Sequence, residues 1–213
     1  AKGRYKMLKA PLVTGEIYHV YNKSIAEFVI FNNDTEFSRI KDTVRYYQIE
    51  KQPVKFSQIG TYVNNAEQKS INKKLVEIIC YCFMPTHIHL VLKQLMENGI
   101  SNFMRYILNS HSHYFNIKHN RKGPLWEGNF KKVLVENDEQ LIHLTRYIHL
   151  NPPTAYLVNN PIDWKWSSYG EYISGNKHGI CKFEDVLDIK PDSYKTFVED
   201  RIPYQRELAK IKG

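Results

Sequence analysis

Two histidines, His87 and His89, stand one residue apart beside the apolar residues Ile88, Leu90 and Leu92. In a strand alternate side chains share a face, so this spacing projects both imidazoles together and sends the apolar residues into the core behind them. Imidazole is the commonest protein ligand for divalent metals, and two side by side make half of a metal site. His111 and His113 have the same spacing in a stretch of helical periodicity. There, residues two apart lie ~200° around the axis, and the pair is not expected to chelate. The three-residue pattern alone leaves open whether His87 and His89 are ligands or two half-buried surface histidines.

Further along, His143, Tyr147 and Asn151 recur every four residues and share one line on a helix. They bring together a candidate proton acceptor, a candidate covalent nucleophile and a candidate metal ligand. A phenol with a pKa near ~10 needs help to react at neutral pH, and a metal-bound phosphate accepting charge in the transition state would supply it. Tyr147 is also one of 15 tyrosines, most of which must simply pack. Asn151 has a local alternative as a helix-ending residue. Arg105, Lys118, Arg121, Lys122, Trp126, Lys131 and Lys132 interleave cations with an aromatic ring, and Lys23 adds a further cation. Such a mixture suits unpaired nucleic acid, with cations on phosphates and rings on bases, although a solvated charged face is the default for each residue.

These residues need elements to position them. Residues 16 to 23 read as a first strand. A helix follows, capped by Asn33 or Asp34, with Phe37, Ile40, Val44 and Tyr47 as its buried stripe. Residues 51 to 74 are polar, with Pro53, Gly60 and an Asn-Asn pair, and read as an irregular or hairpin insertion. Ile78 to Met84 and His87 to Leu92 make two adjacent antiparallel strands around Pro85-Thr86. From Ile100, Phe103, Met104, Ile107, Leu108, Tyr114 and Phe115 follow the helical template. A loop at 120 to 124 leads to a strand predicted over Leu125 to Glu136. Asp138 is the expected N-cap of the next helix, Leu141, Leu144 and Ile148 its stripe, and Pro152-Pro153 its end. Beyond 154 come Trp164, Trp166 and Tyr169, a Gly175-Asn176 turn, and amphipathic stretches near 183 to 189 and 193 to 202. The order predicts an α+β fold, helices on one face of a mainly antiparallel sheet.

A chain of 213 residues, 42% apolar and 24% charged, is long enough for one substantial core and too apolar to stay disordered. The longest apolar-rich stretch, Leu75 to Met84, is half of the ~20 residues that span a bilayer. No apolar segment follows the N-terminal charges, so a cytoplasmic protein with no membrane partner is expected. Cys80, Cys82 and Cys181 form no C-x-x-C pair, and their odd number argues for reduced thiols. Thirty lysines and arginines against 22 acids give a formal charge of +8, which suits a phosphate-bearing partner.

The segments Cys80-Tyr81-Cys82-Phe83-Met84-Pro85-Thr86-His87-Ile88-His89-Leu90, Tyr114-Phe115-Asn116, Gly123-Pro124-Leu125-Trp126-Glu127-Gly128, Arg146-Tyr147-Ile148-His149-Leu150-Asn151-Pro152 and Trp166-Ser167-Ser168-Tyr169 resemble the REP-associated tyrosine transposases, single-tyrosine members of the HUH nuclease class. Tyr18-His19-Val20 with Asn22-Lys23 fits the opening of that family, so the resemblance runs from about 16 to 170. It implies a ferredoxin-like catalytic domain, assigned to 1–170 and interrupted by the 51–74 insertion, while the amphipathic stretches beyond it are read as a C-terminal helical extension over 171–213. The implied activity cleaves and rejoins hairpin-flanked single-stranded DNA through a 5′-phosphotyrosine on Tyr147. His87, His89 and Asn151 would hold the metal.

Ligand preference alone favours zinc or manganese for two imidazoles and an amide, whereas the resemblance implies Mg2+ or Mn2+, with substrate phosphate adding oxygens. Gly128-Asn129-Phe130 stands where the family reads Gly-Arg-Phe. The 51–74 insertion and the tail beyond 170 match no motif. Two other readings follow: a hairpin-DNA-binding module of the same fold that does not cut, and a metallohydrolase whose activity would not need Tyr147. Whether the chain works as a monomer or a homodimer is not encoded in any of these features.

Overall fold

The computed structural model describes residues 11–52, 54–61, 73–175 and 179–212. Strand β1 (Ile17–Lys23) leads to helix α1 (Asp34–Tyr46), then to strands β2 (Val76–Met84) and β3 (His87–Gln94) and helix α2 (Gly99–Lys118). Strand β4 (Lys131–Leu134) and helix α3 (Asp138–Thr154) follow, and the chain ends in α4 (Tyr169–Ser174), α5 (Pro191–Glu199) and α6 (Ile202–Lys212). The four strands form one sheet in the order β2-β3-β1-β4, with every pairing antiparallel. This is the ferredoxin-like α+β arrangement expected.

Strand alternation divides the helices between two faces. Tyr81 pairs with Leu90 and lies under Lys41 of α1, with the ammonium 5.6 Å from the ring. Its neighbour Cys80 pairs with Val91, points the other way, and meets His149 of α3 at 3.4 Å. Successive side chains of a strand point to opposite faces, so α1 and α3 cover opposite faces of β2. The expectation of helices on one face holds for α1 and α2, whereas α3 packs behind. Double coverage explains why β2 is buried along nearly its whole length and reads as a continuous apolar run.

Helix α2 is tied to α1 by a buried carboxylate. Glu36 accepts hydrogen bonds from Asn32 N (2.7 Å) and Asn32 Nδ2 (3.0 Å), and also binds His119 Nε2 (2.7 Å) and Lys118 Nζ (2.9 Å). Burial alone would raise its pKa, but these partners prevail and hold it down to about 2. At the other end of α2, Gly99 is required, because a Cβ there would sit 2.2 Å from the Leu75 carbonyl oxygen.

Three expected boundaries shift. Asn33 caps α1, accepting from Glu36 N, but α3 is capped by Asn137, which accepts from Gln140 N, so Asp138 is the first helical residue. Pro152 and Pro153 do not end α3; they lie inside its last turn. Proline cannot donate to the carbonyl four residues back, and Asn151 makes good the loss: its Nδ2 donates to Ile148 O (3.3 Å) and Tyr147 O (3.2 Å). The strand expected over 125–136 is confined to 131–134. Gly128, at φ +142°, breaks the extended run, and its carbonyl accepts from Asn22 Nδ2 at 3.1 Å.

The stretch at 183–189 is non-helical, and helix α5 begins at Pro191. Residues 56–61 of the insertion form a 3-10 turn; Pro53 and the Asn-Asn pair lie outside the described residues, as does Asn176. Tyr172, Phe183, Leu187, Tyr194 and Val198 join the main core, so the tail packs onto the same body as the sheet. No helix among the described residues is long and apolar enough to cross a membrane.

Burial holds His111 at about 4 and His149 at about 3. Both imidazoles are enclosed and neutral, whereas in the unfolded chain they titrate near 6.5. The unfolded state therefore binds more protons below pH 6.5, and native stability is lost as pH falls from there towards 4. These two groups together should remove on the order of 3 kcal/mol per pH unit in that window. Urea midpoints measured from pH 7.5 to 4.5 check this; a flat profile would refute the assignment of both rings as neutral.

Candidate active site

On the face of the sheet that carries α3, the β1 half remains open. His87, His89, Tyr21 and Lys131 share it, since Tyr21 pairs with His89 on one side and Lys131 on the other. They line a cleft of about 710 Å³ with Lys23, Glu27, Thr86, Glu127 and Asn129 among its other walls. The far wall is built where residues 24–27 run beside 125–127, held by Ile25 N donating to Leu125 O (3.0 Å) and Glu127 N to Lys23 O (2.9 Å). Ala26 and Glu27 sit at φ +50° and +55°, a conformation that costs side-chain-bearing residues energy and occurs at over-determined positions.

Both rings of the histidine pair are held through the same nitrogen. His87 Nδ1 lies 3.0 Å from Thr86 Oγ1, and His89 Nδ1 lies 3.0 Å from His19 Nε2. Each ring thus has its Nδ1 engaged, and neither Nε2 has a hydrogen-bond partner among the described residues. A ligating imidazole ordinarily gives its other N–H to such a neighbour, which fixes the tautomer. Desolvation lowers the pKa of His87, with Lys23 adding to the effect; it lowers His89 further, assisted by His87 and His19. His19 falls to about 4 through burial. All three rings are neutral at physiological pH, the form that binds metal.

Tyr147 reaches this pair from α3. Its ring stands edge-on to His89 with centroids 6.1 Å apart, and its side chain is 47% exposed. Partial burial raises the phenol pKa, and nearby Tyr21 raises it further. Asn151 follows one turn later; its amide nitrogen is turned back onto the helix, leaving Oδ1 as the unbonded atom. His143 is drawn elsewhere: its Nδ1 accepts from Arg146 Nη2 at 2.7 Å and its ring packs on Phe197.

The predicted DNA-binding residues separate into two groups. Lys23 and Lys131 line the cleft, Lys23 beside Glu127 at 3.4 Å. Arg105 and Lys122 are exposed, Arg105 against Asn102 and Tyr106 on α2. Lys132 pairs with Val20 and faces away from the histidines. Lys118 is committed to Glu36, and Arg121 clamps its own loop by donating to Asn116 Oδ1, Gly123 O and Pro124 O. Trp126 is 8% exposed and donates to Leu108 O, so it is a core residue and cannot serve as a base-stacking platform. Two residues were not singled out by the sequence: Tyr21, which lines the cleft, and His19, which holds His89, although both sit on one strand face either side of Val20. Asn129 occupies the cleft where the resemblance implies arginine.

Among the described residues, no three histidine, cysteine or carboxylate side chains converge as a metal site. Two neutral imidazoles with unbonded Nε2 atoms nevertheless suit a divalent ion that draws further ligands from an amide oxygen, water or substrate.

Sheet order, strand-borne histidine pair and facing tyrosine together define a ferredoxin-like domain with a histidine–tyrosine cleft. Residues 44–151, just over half of the chain, match the family described as Transposase IS200 like, and the chain belongs to that family. It is 27% identical over 143 residues to a protein of Haemophilus influenzae strain Rd named as a REP-associated tyrosine transposase, an alignment covering 61% of this chain and 81% of that protein. The solved structure of a REP-associated tyrosine transposase bound to a REP hairpin aligns with a TM-score of 0.56 at 16% identity, covering 85% of this chain and 93% of that one. At that identity the likeness is one of fold.

The approach of His19 to His89 makes a prediction that needs no metal. Nitrogen NMR of the apo protein should find His89 protonated at Nδ1 and bare at Nε2, and His19→Ala should mix the two tautomers of His89. His19 should remain neutral on acidification until about pH 4. A His89 proton on Nε2 in the wild type would contradict the arrangement.

Proposed function

We propose that the protein is a metal-dependent endonuclease and strand transferase acting on hairpin-flanked single-stranded DNA through a 5′-phosphotyrosine on Tyr147. The observation that carries this reading is the edge-on approach of Tyr147 to His89 on the face that presents both unbonded Nε2 atoms. Membership of a transposase family supports DNA as substrate, and the REP hairpin in the similar solved structure supports a hairpin beside the cleavage site.

Tyr147 Oη attacks the phosphorus, an Oη–P bond forms, and the bond from phosphorus to the 3′-oxygen breaks. One proton leaves the phenol and one is taken up by the departing oxygen, so no net proton is consumed. The reverse attack by a 3′-hydroxyl rejoins strands without a nucleotide cofactor. His87 and His89 would hold the metal through Nε2, with Asn151 Oδ1 as third protein ligand. A bound Mg2+ or Mn2+ supplies Lewis-acid stabilisation of charge on the phosphate oxygens. That stabilisation is needed because the setting of Tyr147 disfavours its phenolate. Thr86 and His19 hold the two ring orientations, and Lys131 supplies a cation for the strand.

Tyr147→Phe should abolish the covalent adduct with a labelled hairpin oligonucleotide while leaving affinity for it nearly unchanged and stability within ~0.5 kcal/mol. An adduct formed by this variant would transfer the role to another residue. His87→Ala should lose cleavage at any metal concentration. Asn151→Ala should demand more manganese for the same rate, and should also cost ~1 kcal/mol of stability through the abandoned Ile148 carbonyl. An unchanged metal requirement would reduce Asn151 to its helix-terminal duty. Undiminished cutting without Tyr147 would favour the metallohydrolase, and binding without any adduct the non-cleaving module.

A further inference from the structure

On the outer side of α1 and α2, away from the cleft, a guanidinium stands without an acceptor among the described residues. Arg39 of α1 is half-buried between the rings of Tyr114 (4.2 Å) and Phe56 (5.0 Å). Its Nε is shielded from solvent and has no hydrogen-bond partner among the described residues. Among the described residues no carboxylate pairs with it, and Asp34 nearby is engaged by Lys165 at 2.6 Å. A guanidinium carries five donors in one plane. Rings on two sides occupy its surroundings and leave the N–H edge for an acceptor that none of the described residues provides. A shielded, unpaired donor is costly and calls for a physical reason.

Arg39 borders a cavity of about 810 Å³ whose other walls include Lys55, His113, Tyr47, Tyr106 and Asn109. No aspartate or glutamate is among the described residues lining it. The wall formed by residues 54–56 is fastened to α1: Tyr46 Oη donates to Val54 O (2.7 Å), and Phe56 N donates to Tyr47 Oη (3.1 Å). Tyr47 and Tyr106 lie 5.4 Å apart, ring to ring, at an interplanar angle of 30°. Planar donors for a phosphate, a second cation and paired aromatic faces are the elements that hold an unpaired nucleotide.

We propose that this cavity binds one nucleotide of the DNA strand at a distance from the cleft, with its phosphate on the N–H edge of Arg39 beside Lys55 and its base on Tyr106. The inference rests on the reading of the chain as an enzyme of single-stranded DNA. It gives residues 54–58 the role of building a second, sequence-tolerant hold on the strand.

Fluorescence anisotropy would compare wild type, Arg39→Gln and Lys55→Ala on hairpins with long and short single-stranded tails across a salt series. On long tails Arg39→Gln should bind about tenfold more weakly, and the salt slope should fall by about 0.7 for each phosphate that is no longer neutralised. On short tails, affinity and adduct formation should match wild type. Photocrosslinking of iodouridine-substituted strands to the wild type needs no variant and should yield a Tyr106 peptide. Unchanged long-tail affinity in folded Arg39→Gln, or crosslinks confined to β1, β3 and α3, would overturn the proposal. Saturable binding of free dTMP that strands do not displace would assign the cavity to free nucleotides and overturn it as well. A wild type that binds no single strand at all would instead refute the underlying functional reading.

Discussion

The side chain of His149 is fully enclosed, and both of its ring nitrogens are hydrogen-bonded: Nδ1 with Tyr194 Oη and Nε2 with Ser168 Oγ, each at 2.8 Å. Tyr194 Oη in turn donates to Thr145 Oγ1, and Ser168 Oγ accepts from Tyr81 N. This buried network joins α3 to β2 and to α5. A satisfied polar network in a low-dielectric interior specifies one arrangement, because a rotated helix would strand several polar groups at once. His149 lies two residues beyond Tyr147, so fixing it inward turns Tyr147 outward, over the sheet histidines. The tail beyond 170, which matched no motif, acquires a purpose here: it supplies Tyr194.

The open half of the sheet follows from the same docking. Helix α3 sits against β2, at one side of the sheet, which leaves His19 and Tyr21 of β1 partly uncovered, with His89 of β3 buried beside them. These three rings lie against one another with centroid separations of 4.9 to 5.8 Å. Their packing keeps both imidazoles dry enough to be neutral while His89 still borders the cleft. The cleft thus lies over the two central strands of the sheet, with α3 covering β2 beside it.

Periodicity made the strands β1 to β3 and helices α1 to α3 legible in the sequence, because each buries one regular stripe against a neighbour. The convergence of His87, His89 and Tyr147 was legible for the same reason, since two-residue and four-residue spacings translate directly into shared faces. What escaped depends on partners distant in the chain. Lys118 reads as a free cation until Glu36 is brought against it, and Trp126 reads as a stacking platform until Leu108 O accepts its N–H. The last turn of α3 runs through two prolines because the Asn151 side chain replaces a missing backbone donor, a compensation that propensity alone does not reveal. The 183–189 stretch has the apolar spacing of a helix, yet its apolar residues pack as irregular chain, anchored by Phe183 and Leu187.

Charge in the cleft also departs from what the whole chain suggests. The overall charge is +8, but the cleft walls carry two lysines, Lys23 and Lys131, against two glutamates, Glu27 and Glu127, with its histidines neutral. Asn129 stands where an arginine would have tipped the balance. A phosphate entering such a site meets little net positive potential from the protein, and the Lys23–Glu127 pair, half exposed on both sides, offers weak compensation. On the proposed reading, stabilisation of an attacked phosphate would fall to an ion held by the two Nε2 atoms. Grip on the remainder of the strand falls to cations outside the cleft. The positive charge of the chain and the neutrality of the cleft are consistent if binding and chemistry are handled by different surfaces of one small sheet.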